Sequence, residues 1–168
     1  MAKKLPIAIS SEEFAILIKN TIKDSHKVAF LLGFGSGLRI SEITNLEKRD
    51  IDIKERKIFI RQGKGSKDRV VPLAKGFKQK HMSFIPIGIG VRALQSAFKS
   101  TCKRAGLLET KPTIHFHSLR HGFGSHMANK SVPIHHIRTL MGHSNISTTN
   151  VYLELNPKDA LLSYEDLF

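Results

Sequence analysis

Tryptophan is absent from this chain, cysteine occurs once, at Cys102, and acidic residues are scarce. A lone cysteine excludes an internal disulfide and any zinc site built from several thiolates. Ten Phe and two Tyr supply the aromatics. They form no stacking motif, which argues against a platform for single-stranded nucleic acid. No apolar run approaches the roughly 20 residues that a membrane span needs. The opening MAKKLPIAIS has basic residues but only a short apolar stretch, unlike a signal peptide. The expected location is the cytoplasm, with no membrane partner.

What is present is positive charge. Lys and Arg number 27 against 14 Asp and Glu, a formal net charge of +13 over 168 residues. Such an excess repels itself unless a polyanion relieves it. Nucleic acid is the leading partner, because each neutralised phosphate releases a counterion. The chain is long enough for one domain with a real core.

Hydrophobic periodicity predicts a mainly α fold of the α+β class with one small sheet. Ser10 or Ser11 caps a first helix, with Glu13 placed for a capping box and Phe14, Leu17 and Ile18 on its apolar face. A second helix begins near Asp24 and ends at the GFGSG break, 33–37; a short helix with Ile40, Ile43 and Leu46 follows. The alternation in IDI, KIFIR and RVVPL predicts a three-stranded antiparallel meander over about 50–73. The stretch 74–90 is expected to be loop. Val91, Leu94, Phe98, Cys102 and Ala105 form the stripe of a further helix that Gly106 stops. HSLRHGFGSHMANK is helical despite its glycines, and Pro133 fits the first position of a helix that Gly142 closes. STTNVYLEL is expected as a short helix, and Asn156-Pro157 opens a last one with Ala160, Leu161, Tyr164 and Leu167 apolar.

The motif HSLRH, 117–121, sets His117 and His121 one helical turn apart around Arg120. Two such imidazoles can bind zinc, but a cation between them and the lack of a nearby acidic ligand argue against a metal. A phosphate suits all three. Arginine clamps its oxygens, and histidine donates or moves a proton. Arg39 in GLRISE sits beside a glycine-rich break and offers a planar fork to the same kind of anion. GKGSKDR, 63–69, presents Lys64 at a hairpin tip whose glycines permit close approach of another molecule. It lacks the spacing of a nucleotide-binding loop. Lys67 and Arg69 of that hairpin, with His121, are read as contacts to DNA. His143 follows a helix-closing glycine, and Tyr152 beyond it is a plausible nucleophile for phosphorus. Tyr164 lies on an apolar stripe and is expected to pack in the core.

Taken in order, Arg39 in GLRISE, Lys64 in GKGSKDR, HSLRH, GHS and Tyr152 nine residues after His143 resemble the tyrosine recombinases, the phage integrase family. The resemblance runs from about residue 10 to 160. It implies a helical catalytic domain with a small three-stranded antiparallel sheet. It further implies that Arg39 and Arg120 hold a scissile DNA phosphate while Tyr152 attacks it, leaving a 3′-phosphotyrosyl link. Lys64 would protonate the departing 5′-oxygen, His117 would manage the tyrosine proton, and His143 would hydrogen-bond the phosphate. Glu42 matches an acidic position that supports the site. Neither a metal nor any other cofactor is implied.

Full-length members of that family carry an N-terminal helical domain that helps close around DNA. The segment before the first helix is too short to be that domain. The expectation is therefore a single catalytic domain over 1–168, with the N-terminal core-binding (arm) domain absent. The partner is double-stranded DNA. A homo-oligomer is expected, a tetramer on DNA, with the C-terminal segment docking on a neighbour or on its own body. Two alternatives stay open at this stage: relaxation of supercoils in the manner of a type IB topoisomerase, and a DNA-binding domain not active on its own.

Overall fold

Ser10 and Glu13 exchange the reciprocal hydrogen bonds of a capping box, each side chain serving the other's backbone N–H at 3.2 and 2.8 Å. They start α1 (Ser11–Lys19) where the spacing predicts. The computed structural model describes residues 7–61, 68–142 and 164. After α1 come α2 (Asp24–Gly35) and the short α3 (Ile40–Thr44). Strands β1 (Ile51–Asp52), β2 (Lys57–Ile60) and β3 (Arg69–Pro72) follow, then α4 (Val91–Arg104), α5 (Leu107–Thr110), α6 (His117–Asn129) and α7 (Ile134–Met141).

From Val28 onward helix α2 is apolar on all sides, as a central helix is. Val28, Ala29, Phe30, Leu32 and Phe34 are all buried. Phe30 meets Phe98 of α4 and Phe116 edge to face, at centroid distances of 5.4 and 5.9 Å, and Phe14 of α1 stacks on Phe34 at 4.2 Å. Helix α6 crosses α2 at close range because Gly122 has no side chain. A Cβ there would stand 2.6 Å from the carbonyl oxygen of Ile9 and 2.9 Å from the Phe34 ring. The glycine that looked unfavourable for a helix is thus a packing requirement.

The sheet has the order β1-β2-β3 and is antiparallel throughout, with Ile51 opposite Ile58 and Ile58 opposite Val71. Those residues, with Ile60, are buried on one face, while Phe59 points to the other and is exposed. Helix α7 packs against β3 and α6.

The stretch 74–90 departs from the expected loop. Gln79–Phe84 form a 3-10 helix, and Phe77, Ile85 and Ile87 are buried in the core. Helix α5 was also unforeseen: Gly106 adopts a left-handed φ of 71° that ends α4 and starts α5 at once. Within α4, Leu94, Phe98 and Cys102 of the expected stripe are buried, joined by Thr101, while Val91 and Ala105 remain partly exposed. Pro133 stands at the N-cap of α7, one residue before the first helical position.

A second apolar cluster joins Phe123, Met127, Val132, Ile137, Leu140, Met141 and Tyr164. Tyr164 is 4% exposed and donates its hydroxyl to the Gly35 carbonyl at 2.7 Å, which is the core role expected of it. The expected helix at STTNVYLEL and the rest of the last one lie outside the described residues. Among the described residues, no helix is long and apolar enough to cross a membrane.

Candidate active site

Arg39 is the N-cap residue of α3, so its extended backbone aims its side chain across the start of that helix. Glu42, three residues on, accepts from the Arg39 backbone N–H at 2.7 Å and from the Arg39 guanidinium at 2.9 Å. The second terminal nitrogen of Arg39 donates to the carbonyl of Gly142 at 3.1 Å. Its side chain stays one-third exposed, so the group reaches the surface.

Arg120, from the first turns of α6, is only 1% exposed. One of its terminal nitrogens donates to the Gly37 carbonyl at 2.6 Å and the other to the Met141 carbonyl. Its Nε has no hydrogen-bond partner among the described residues. Burial, then the nearby Arg39 charge, pulls the guanidinium down to about 10; Glu42 opposes this and Arg69 adds to it. The group remains a cation at neutral pH.

His117 opens α6 and meets His121 edge to face at 4.7 Å, while His115 stacks on it at 6.4 Å. Burial, followed by the charges of His121, Arg120, His115 and Arg39, holds His117 down at about 4. At neutral pH it is an uncharged imidazole, able to accept a proton. His121 is held low as well, first by burial and then by His115 and Arg120. Among the described residues no set of three or more His, Cys, Asp or Glu is placed to hold a metal.

Arg69 departs from its expected place at the DNA surface. Its side chain is 9% exposed, and both terminal nitrogens pair with the Glu42 carboxylate, at 2.8 and 2.9 Å. The reason is the pleat: Arg69 and Val71 share a face of β3, and Val71 is fully buried. That parity, visible in RVVP, was the missed signal. Burial pushes the Glu42 carboxyl up, but Arg69 and the Arg39 backbone N–H and guanidinium outweigh it and hold it below its ordinary value.

The structure therefore brings Arg39, Glu42, His117, His121, Arg120 and Arg69 into one cationic cluster. Lys64, Lys67, His143 and Tyr152 lie outside the described residues, although His143 directly follows Gly142, which Arg39 holds. The backbone carbonyls of Gly37, Met141 and Gly142 are site components that side-chain motifs do not reveal.

Comparison with known proteins identifies the family and the fold. Residues 9–85 and 89–159 match the model of the phage integrase family. The chain is 34% identical to tyrosine recombinase XerA of Thermococcus onnurineus, over 91% of its own length and 60% of the relative. It is 32% identical to a tyrosine recombinase of Pseudothermotoga lettingae, over 91% of its own length and 58% of that protein. The chain thus spans about three-fifths of the length of the curated relatives it matches. Among solved structures, the integrase of mycobacterium phage Brujita superposes with a TM-score of 0.75 at 21% identity, covering all of this chain and 60% of that one. A XerA recombinase crystal structure superposes with a TM-score of 0.72 at 24% identity, covering 98% of this chain and 66% of that one. With the family model matched along nearly its whole length and the fold shared, the chain belongs to the phage integrase family of tyrosine recombinases.

Proposed function

We propose that this chain catalyses DNA strand cleavage and rejoining in site-specific recombination, through a 3′-phosphotyrosyl intermediate. The observation that carries the proposal is Arg120: a buried cation with an unmet Nε donor, beside a second arginine and a neutral imidazole. An anion supplies what that cluster needs, and a phosphodiester of duplex DNA is the anion that matches the +13 charge of the whole chain.

In this reaction Arg39 and Arg120 hold the non-bridging oxygens and offset the charge that grows on the pentacoordinate phosphorus. The phenolic oxygen of Tyr152 forms the new bond to phosphorus, and His117 takes the phenolic proton. The bond from phosphorus to the 5′-oxygen breaks, and Lys64 gives that oxygen a proton. His143 donates to the phosphate, and Lys67 and His121 meet the DNA backbone. Religation reverses each transfer. Side chains supply every positive charge and the phosphotyrosine conserves the bond energy, so the scheme invokes no cofactor.

DNA is the assigned partner, and assembly follows the related lambda integrase, solved as a tetramer bound to a Holliday junction. Tyr164 itself seats on its own body, with its hydroxyl on the Gly35 carbonyl.

The test is a randomised pool of nicked suicide duplexes incubated with the purified chain. Wild type should yield a covalent protein–DNA adduct on a denaturing gel, and Tyr152→Phe should yield none. An adduct that persists in Tyr152→Phe removes that residue from the mechanism. Binding without adduct favours a DNA-binding domain that is silent alone, and site-independent relaxation of a supercoiled plasmid favours a topoisomerase.

A further inference from the structure

The last carbonyls of α7 are held by arginines from three distant parts of the chain. Leu140 accepts from Arg69 Nε at 3.3 Å, Met141 accepts from Arg120, and Gly142 accepts from Arg39 at 3.1 Å. The negative end of a helix dipole is a favourable place for such cations. Arg69 alone also grips Glu42 with two parallel bonds, and Glu42 in turn holds Arg39 by backbone and side chain. Planar, two-point pairing of this kind fixes orientation as well as distance. Gly142 closes over this contact: its φ is 60°, and a Cβ there would stand 2.8 Å from Arg69 Cδ and Nε.

We infer that Arg69 is a positioning residue, which locks Glu42 and the end of α7 into one frame and so sets the orientation of Arg39 without touching DNA. This rests on the recombinase chemistry proposed above for Arg39. Arg69 spends its Nε and both terminal nitrogens inside the protein, whereas Arg120 keeps an unpartnered Nε, so Arg69 has little left to offer a phosphate. Loss of Arg69 removes the two-point grip on Glu42, and the Arg39 fork can then rotate with the carboxylate. It also frees the Leu140 carbonyl, two residues before the chain passes Gly142 toward His143. The inference makes the basic hairpin two-faced: Arg69 serves the interior, while Lys64 and Lys67 are assigned to the substrate.

The experiment compares wild type with Arg69→Ala, Arg69→Lys and Gly142→Ala. It reads single-turnover adduct formation, DNA affinity across salt concentrations, and solvent exchange of the Arg39 guanidinium protons by nuclear magnetic resonance. Arg69→Ala should slow adduct formation about 30-fold or more, with DNA affinity changed less than about threefold and the salt slope unchanged. A lost phosphate contact would instead make that slope shallower by about 1. Added guanidinium ion should restore part of the Arg69→Ala rate, and Arg69→Lys should fall between. Gly142→Ala, which keeps the arginine but displaces it, should slow cleavage in the same way and not add to Arg69→Ala. Arg39 proton exchange should quicken in both alanine variants. The inference is overturned if the salt slope falls, or if cleavage and Arg39 exchange both match wild type. Should the wild-type chain form no adduct, the recombinase proposal fails. The exchange measurement on the folded Arg69→Lys and Gly142→Ala variants still decides whether Arg69 positions Arg39.

Discussion

Arg39 donates to the carbonyl of Gly142 across 103 residues of sequence, at 3.1 Å. That bond joins the start of α3 to the end of α7 and marks where the site closes. On either side of it the chain supplies cations faster than it supplies acids. Glu42 is the carboxylate that raises Arg120 against the pull of burial, Arg39 and Arg69.

The fork of Arg120 spans Gly37 and Met141, and lysine has no fork. Arg120→Lys should therefore lose one of two charged hydrogen bonds in a buried site, a cost of about 2 kcal/mol. Urea denaturation should show that loss. Adduct formation should fall by about 100-fold or more, because transition-state charge is no longer met in two places.

The histidines predict a pH dependence. His117 is held at about 4 in the folded chain against an ordinary 6.5. Between those values the unfolded chain binds more protons, so stability rises with pH there. The melting temperature should fall as the pH drops below about 6.5 and continue to fall toward 4. His26, His81, His121 and His126 are held low by burial and act in the same sense. Glu42 adds to the effect at lower pH, since its contribution is lost as the pH falls through its depressed folded value. His117→Gln should show a shallower slope over this window, measured by thermal melts at stepped pH.

Tyr164 and Tyr152 separate cleanly by experiment. Burial, against the opposing effects of the Lys75 backbone and Arg56, pushes the Tyr164 hydroxyl up to about 12, and it is bonded to Gly35. Tyr164→Phe keeps the ring in its cluster and removes that bond. Stability should drop by about 1 kcal/mol, while adduct formation at 25 °C stays within about twofold. Loss of the adduct in Tyr164→Phe would contradict this division of labour.

Gly122→Ala sets two effects against each other. Alanine is the better helix former by about 1 kcal/mol. Its methyl, however, would press on the Ile9 carbonyl and the Phe34 ring at 2.6 and 2.9 Å. Overpacking of that kind typically costs about 1–3 kcal/mol. Net destabilisation is expected, and a variant that melts higher than wild type would show that the α2–α6 crossing can relax.

Much of the architecture was legible in residue order. The Ser10–Glu13 box, the alternation that makes the meander and the glycine at 142 act through neighbours two to four positions away. Local physics of that range is written along the chain. The 3-10 segment at Gln79–Phe84 was not, because its burial depends on a core that other elements build. Arg69 shows the same limit. Composition marked it as part of a basic hairpin, whereas the strand's pleat and the acid at Glu42 turned it inward.

Residue order thus carried the chemistry of this protein: which side chains are cations, which are proton carriers, and roughly where most of the longer helices begin. Convergence came from packing. Arg39, Arg69 and Arg120 meet at successive carbonyls of α7 because α2 and α6 cross closely at Gly122 and α7 lies on β3. Contacts between residues 21 to 103 positions apart obey distances in space, and no periodicity in the chain encodes them.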